Sequence, residues 1–229
     1  MMEEEERNAS TRGKERRGRT RASILVLVRH GESEWNARGL WTGLTDVHLT
    51  EKGRQEAKTA ARLLQDISFH IAFTSSLVRA HETLDVIVEM LQIEDLPVVR
   101  HPALNERHYG IHTGKNKWEV KKTVGDEEFL KIRRSWDHPT PGGESLKDVH
   151  RRVIPYYQSD IYTHIASGKN VLIVAHGNSL RALVKHLENV PDEKIADVEI
   201  ATGEVLVYRM SPRGKVITKE QRSPAQVSG

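Results

Sequence analysis

Two short stretches present histidine in the same setting. Ile24-Leu25-Val26-Leu27-Val28 leads into Arg29-His30-Gly31, and Val171-Leu172-Ile173-Val174-Ala175 leads into His176-Gly177-Asn178-Ser179. An unbroken apolar, largely β-branched run reads as a strand covered on both faces. In open α/β sheets, ligands bind just beyond the carboxyl ends of such strands. Each run therefore delivers an imidazole and a glycine to the place where a site is expected. A neutral imidazole nitrogen can attack phosphorus and carry the phosphoryl group covalently. The reaction then needs positioning and positive charge around the equatorial oxygens. His30, between Arg29 and Gly31, is the expected nucleophile. His176, in its protonated form, is expected to steady the transferring group, with help from Arg29, Arg79 and the N–H groups near Gly31 and Gly177. Glu106, in the polar loop 104–110, is the candidate proton donor to the leaving oxygen.

The elements that must position these groups follow from periodicity. Strands are expected near 23–29, 71–73, 97–99 and 171–175, with a C-terminal hairpin of 204–210 and 215–218 about Ser211-Pro212-Arg213-Gly214. Thr50 should cap a helix with Ala57, Ala60, Ala61 and Leu64 on its apolar face. A second helix, 77–91, carries Arg79 in its first turn. Further helices are expected over 118–136 and 144–168, the latter kinked at Pro155. Leu180, Leu183, Val184 and Leu187 mark another after the second motif, with Asn178 or Ser179 as its cap. The polar, tryptophan-bearing loop 30–49 is long enough to suggest function. This pattern gives an α/β fold: a mainly parallel sheet with an antiparallel edge strand and helices on both faces.

Bulk properties fit one catalytic domain. The chain has 229 residues, 37% of them hydrophobic and 29% charged. No run is long enough to span a bilayer, and Met1-Met2 leads into glutamates rather than an apolar leader. The pI of about 9.1 raises the possibility of nucleic-acid binding. Residues 1–22, however, hold seven Lys/Arg and five Glu of the chain's 35 and 32, leaving 28 against 27 in the body. We therefore read 1–22 as a disordered extension, 23–218 as a single domain and 219–229 as a flexible tail, with no nucleic-acid or membrane partner. There are 12 histidines and no cysteine. His81-Glu82 lacks the second histidine of a metalloprotease helix, so a metal-independent, cytoplasmic enzyme is expected.

Beyond the two strand endings, the run Leu27-Val28-Arg29-His30-Gly31-Glu32-Ser33-Glu34-Trp35-Asn36 recurs as a family signature. With Thr42-Gly43, Asn105-Glu106-Arg107-His108-Tyr109-Gly110, Arg133-Arg134 and the segment 175–183, it resembles the cofactor-dependent phosphoglycerate mutases of the histidine phosphatase superfamily. The resemblance spans roughly 23–210. It implies interconversion of 3-phosphoglycerate and 2-phosphoglycerate, in glycolysis and gluconeogenesis, through a phosphohistidine at His30 primed by 2,3-bisphosphoglycerate. It also implies Glu106 as acid/base and His176 as stabiliser of the transition state. Substrate-binding residues implied are Arg29, His30, Gly31, Glu32, Ser33, Glu34, Trp35, Asn36, Thr42, Gly43, Arg79, Glu106, Arg107, His108, Tyr109, Lys117, Arg133, Arg134, Gly177 and Asn178. The partners are then small phosphorylated three-carbon acids, and a homo-oligomer is compatible with the pattern. Three departures stand out: Lys115 where the family has Leu, Trp41 and Leu44 around Thr42-Gly43, and a short segment from Ser135 to Pro141. A phosphatase of the same superfamily and a non-catalytic binding protein on the same fold are the rival readings.

Overall fold

The computed structural model describes residues 22–223. The extension expected over 1–22 lies outside the described residues apart from Ala22. In chain order the elements are β1 (Ser23–Arg29), α1 (Glu34–Ala37), α2 (Glu51–Arg62), β2 (Ile71–Thr74), α3 (Val78–Met90) and β3 (Val98–Arg100). Then come α4 (Lys117–Val124), α5 (Asp126–Arg134), α6 (Leu146–Tyr156), a π-helical turn (Tyr157–Ile161) and α7 (Tyr162–Ala166). Last among the described residues are β4 (Val171–Ala175), α8 (Gly177–Glu188), a 3-10 turn (Asp192–Asp197), β5 (Val205–Met210) and β6 (Val216–Arg222).

The six strands form one sheet in the order β3-β2-β4-β1-β5-β6. The first four run parallel, and β5 and β6 are antiparallel. Alternate residues of the central strands feed two cores. Leu25, Leu27 and Ile173 pack with Val149 and Val153 of α6 and Leu183 of α8. Val26, Val28 and Val174 pack with Ala60 and Ala61 of α2 and Leu84 of α3. Helices on both faces explain why these strands read as continuous apolar runs.

Four boundaries differ from the sequence reading. The expected hairpin forms at the sheet edge, but β6 continues past Thr218, so 219–222 is strand. Arg222 closes that end by donating to Asp66 and the Leu63 carbonyl. The helix expected over 118–136 is broken at Gly125, whose φ of 84° is a left-handed conformation open to glycine. The helix expected over 144–168 passes through a π turn just beyond Pro155, which has no N–H to give the preceding turn. Finally, α8 is capped by His176 itself: its backbone N–H donates to Ser179 Oγ at 3.1 Å.

Candidate active site

Strand register brings the two histidines together. Arg29 of β1 is paired with Ala175 of β4, and the His30 N–H donates to the Ala175 carbonyl at 2.9 Å. The next residue on each chain is a histidine, so the two rings adjoin, with centroids 4.9 Å apart at 61°. The neighbouring strand β2 is in step as well, with Thr74 paired to Val174. Its next residue, Ser75, places Oγ 2.7 Å from His176 Nε2. Three adjacent strands thus end in one row of polar side chains.

Hydrogen bonds fix the ring nitrogens. His30 Nδ1 lies 2.7 Å from the Gly31 carbonyl, which can only accept, so Nδ1 carries the proton and Nε2 keeps its lone pair. Ser75 Oγ accepts the Leu77 N–H and has its own proton to give to His176 Nε2, the tautomer in which Nδ1 carries the ring proton. His176 Nδ1 is then the N–H, and it is buried without a protein partner. Both rings are almost wholly buried, at 2% and 0% exposure. Burial, and then the charge of Arg79, hold both well below the ordinary imidazole value. Burial therefore disfavours the charged form of His176 when no anion is present, and the protonated ring expected from the sequence needs the opposing charge of a bound anion. His176 acts as an N–H donor unless an incoming anion draws a proton onto it.

Arg79 is 1% exposed and donates to the Gly43 carbonyl at 2.9 Å and the Thr45 carbonyl at 3.0 Å. Burial lowers its pKa to about 10, and it remains a cation at neutral pH. Gly31 has a different role from the one expected. Its N–H is taken by Thr83 Oγ1, and a Cβ here would stand 2.2 Å from the Gly53 carbonyl oxygen. The glycine is required by the close crossing of the loop over α2, not by an anion.

Glu106 is held on one side. Its Oε1 accepts from the N–H groups of Arg107 and Asn178 and from Asn178 Nδ2. The second proton of Nδ2 goes to Tyr109 Oη at 2.8 Å, and Asn178 Oδ1 accepts from Arg181. Arg181 also binds the carbonyls of Arg134 and Ile195, so it locks the amide that aims Glu106. Beneath, Arg152 grips Glu144 and the carbonyls of Ala103, Asn105 and Glu106.

A cleft beside these groups is lined by Arg29, Trp41, Glu106, Tyr109, Lys117, Arg133, Arg134, Gly177, Asn178, Arg181, Glu199 and Ile200. Arg29 Nε is buried without a partner, while its Nη1 donates to the Ile200 carbonyl. Lys117 lies over the Trp41 ring and Arg133 over Phe129. Burial, then Arg133 and Arg29, lower the Lys117 pKa to about 8. Each feature suits an anion with more than one charged group.

Other expected site residues lie elsewhere. Glu32 binds Lys52 and Thr50 on the α2 side. Ser33 and Asn36 cap each other around α1, where Glu34 is the first residue. Trp35 sits against Gly114. Thr42 is buried with Oγ1 unpartnered, and the adjoining Gly43 meets the site through Arg79. Arg107 spends its guanidinium on Ile132, Thr140 and Glu144, while the His108 N–H donates to the Glu144 carboxylate and the His108 carbonyl accepts the Glu144 N–H. None of these nine lines the cleft. Sequence reasoning missed Ser75, Thr83 and Glu199. Ser75 ends a strand as the histidines do, and Thr83 falls one turn after Arg79; Glu199 had no sequence signal.

A histidine pair at the end of a parallel sheet, with Arg29 and Arg79 beside it, is the arrangement that phosphotransfer through a histidine nucleophile requires. The chain belongs to the histidine phosphatase superfamily (branch 1), whose profile matches residues 25–222. It is 50% identical over 198 residues to the 2,3-bisphosphoglycerate-dependent phosphoglycerate mutase of Nitrobacter winogradskyi, covering 86% of this chain and 96% of that one. The enzyme of the same name from Cytophaga hutchinsonii is 49% identical over 83% of this chain and 89% of its own. Among solved structures, a putative alpha-ribazole-5'-P phosphatase from Escherichia coli matches with TM-score 0.72 and 26% identity, over 88% of this chain and 95% of that one. Phosphoglycerate mutase from Bacillus anthracis shares the fold with TM-score 0.73 over 92% and 97%. Among the described residues no helix is long and apolar enough to cross a membrane.

Proposed function

We propose that this protein is a phosphoglycerate mutase interconverting 3-phosphoglycerate and 2-phosphoglycerate through phospho-His30. The carrying observation is the paired, desolvated imidazoles beside a cleft with several cations. His30 Nε2, its lone pair exposed by the Nδ1–Gly31 bond, attacks phosphorus. A P–N bond forms as the P–O bond breaks, and the leaving oxygen takes a proton from Glu106 Oε2, the oxygen not held by N–H donors. His176 Nδ1–H and Arg79 stabilise charge on the transferring oxygens. In the other half-reaction, which comes first when His30 is already loaded, the free hydroxyl of phosphoglycerate takes the phosphoryl group from His30 as the P–N bond breaks and gives its proton to Glu106; His30 Nε2 then attacks the phosphoryl group on the neighbouring oxygen.

The unpartnered His176 Nδ1, Arg29 Nε and the cations Lys117 and Arg133 fit 2,3-bisphosphoglycerate as the priming molecule. When bound it would supply the phosphoryl group that first loads His30. Glycolysis and gluconeogenesis, a cytoplasmic location and metal-independent turnover follow from this reading, as does a single catalytic domain, expected over 23–218 and carried by β6 to Arg222. A phosphatase needs one phosphate cage and few distant cations, so Lys117, Arg133 and Arg134 favour the mutase.

Labelled 2,3-bisphosphoglycerate should leave an acid-labile label on His30 that disappears in His30→Ala. Mutase turnover should exceed hydrolysis of phosphoglycerate in the same assay. Hydrolysis in excess would make the protein a phosphatase, and absence of label would make it a binding protein.

A further inference from the structure

The cleft carries one carboxylate that the proposed reaction does not use. Glu199 lies between the 3-10 turn 192–197 and β5, and its carboxylate is bonded to Arg134. Its side chain is 68% exposed, whereas that of Arg134 is 17% exposed. The carboxylate therefore comes from the solvent side and covers a largely buried guanidinium. The backbone around it is anchored: Arg29 Nη1 donates to the Ile200 carbonyl at 2.6 Å, and the Gly203 N–H to the Arg29 carbonyl at 3.1 Å. What can move is the Glu199 side chain.

Charge explains why it is there. Arg29, Lys117 and Arg133 share the cleft with Arg134, and among the described residues none of those three has a carboxylate within ion-pair distance. Crowded cations repel, and partial burial weakens the screening by water. Burial first, and then the neighbouring cations, depress the basicity of Lys117 and Arg133. A carboxylate at the outer end relieves the repulsion when no ligand is bound, and the fields of Arg133 and Arg29 also reach it.

We propose that Glu199 is an internal counterion that sets a charge threshold for ligands: an anion must displace its carboxylate from Arg134 to occupy the outer cleft. A simple phosphate monoester engages only the inner histidine cage and leaves Glu199 in place. A ligand with a second anionic group, such as phosphoglycerate, reaches Arg134 and takes over the role of Glu199. The displaced carboxylate then repels the ligand, which weakens binding and speeds release. The identity of the ligand rests on the mutase reading; the counterion role does not.

The test compares native protein with Glu199→Gln and Glu199→Asp by calorimetric titration with 3-phosphoglycerate and with inorganic pyrophosphate, a two-headed anion without a carbon chain. Glu199→Gln should tighten both by about two- to fivefold, the range set by an exposed ion pair. KM should fall further than kcat changes, and Glu199→Asp should return affinity toward native. The gain should shrink near 1 M salt, where the screening length is about 3 Å. Unchanged or weaker binding of both anions by Glu199→Gln would overturn the counterion role, leaving Glu199 as a support for Arg134. Native protein that binds pyrophosphate but not 3-phosphoglycerate would overturn the mutase reading instead, and the pyrophosphate arm would still decide the role of Glu199.

Discussion

At the scale of single residues, the site works by committing one nitrogen or oxygen of each reactive group so that the other is left for chemistry. Gly31 takes His30 Nδ1, Ser75 takes His176 Nε2, and three N–H donors take Glu106 Oε1. Glu106→Gln keeps the acceptor but loses the proton, so phosphoglycerate turnover should fall about 100-fold or more. Hydrolysis of para-nitrophenyl phosphate should fall far less, because nitrophenolate leaves without a proton. An equal loss on both substrates would remove Glu106 from the acid role. Lys117, with its pKa near 8, gives a second expectation at this scale. It is a cation below that value and neutral above it, so kcat/KM should decline through an alkaline limb near pH 8. Lys117→Arg should push that limb upward, and an unmoved limb would assign it to another group.

At the scale of elements, the site depends on how closely the β1–α1 loop crosses α2. Gly31 and Gly53 face each other there: a Cβ on Gly31 would lie 2.2 Å from the Gly53 oxygen, and one on Gly53 would lie 2.1 Å from the Glu32 oxygen. Both contacts are with backbone, which cannot swing away as a side chain can. Gly31→Ala should cost about 3 kcal/mol or more, which for a domain of this size is roughly 6–12 °C in Tm. It should also displace His30 and reduce labelling in whatever fraction remains folded. A native-like melting temperature would show that the loop can slide over α2. The same scale explains α8, whose first two turns carry Asn178 and Arg181 from one strand end. Arg181→Met should loosen the Asn178 amide and lower kcat more than it raises KM. An effect confined to KM would make Arg181 part of the binding surface instead.

At the scale of the whole molecule, the cost of the buried imidazoles appears as pH-dependent stability. His30 and His176 are held well below 6.5 when folded and return to about 6.5 when unfolded. Above pH 6.5 neither state binds the proton, and stability is unaffected. Below it the unfolded chain gains protons that the fold refuses, so stability falls with pH, by up to about 1.4 kcal/mol per unit for each ring. Tm should decline from pH 6.5 toward 5, and less steeply in His176→Asn. A slope unchanged by that substitution would place the linkage in other histidines, of which His112, His150, His164 and His186 are also lowered. Full activity in excess chelator is expected of the molecule as a whole, and loss of turnover on adding EDTA would contradict the reaction proposed.

The sequence by itself determined the strands, the glycine-flanked histidines at their ends and the helix carrying Arg79, because each rests on local periodicity and side-chain chemistry. It also determined the family, through motifs long enough to be specific. It did not reveal that burial and the field of Arg79 depress the basicity of His176, since both arise only when distant segments pack. Nor did it separate the histidine-ring residues from Glu32, Ser33 and Arg107, which share motifs with the site yet bond to the scaffold. Strand register decided that His30, His176 and Ser75 stand in one row, because pairing across β1, β4 and β2 is a property of the sheet rather than of any strand. Glu199 reached Arg134 across 65 residues of chain, a contact that no local pattern encodes.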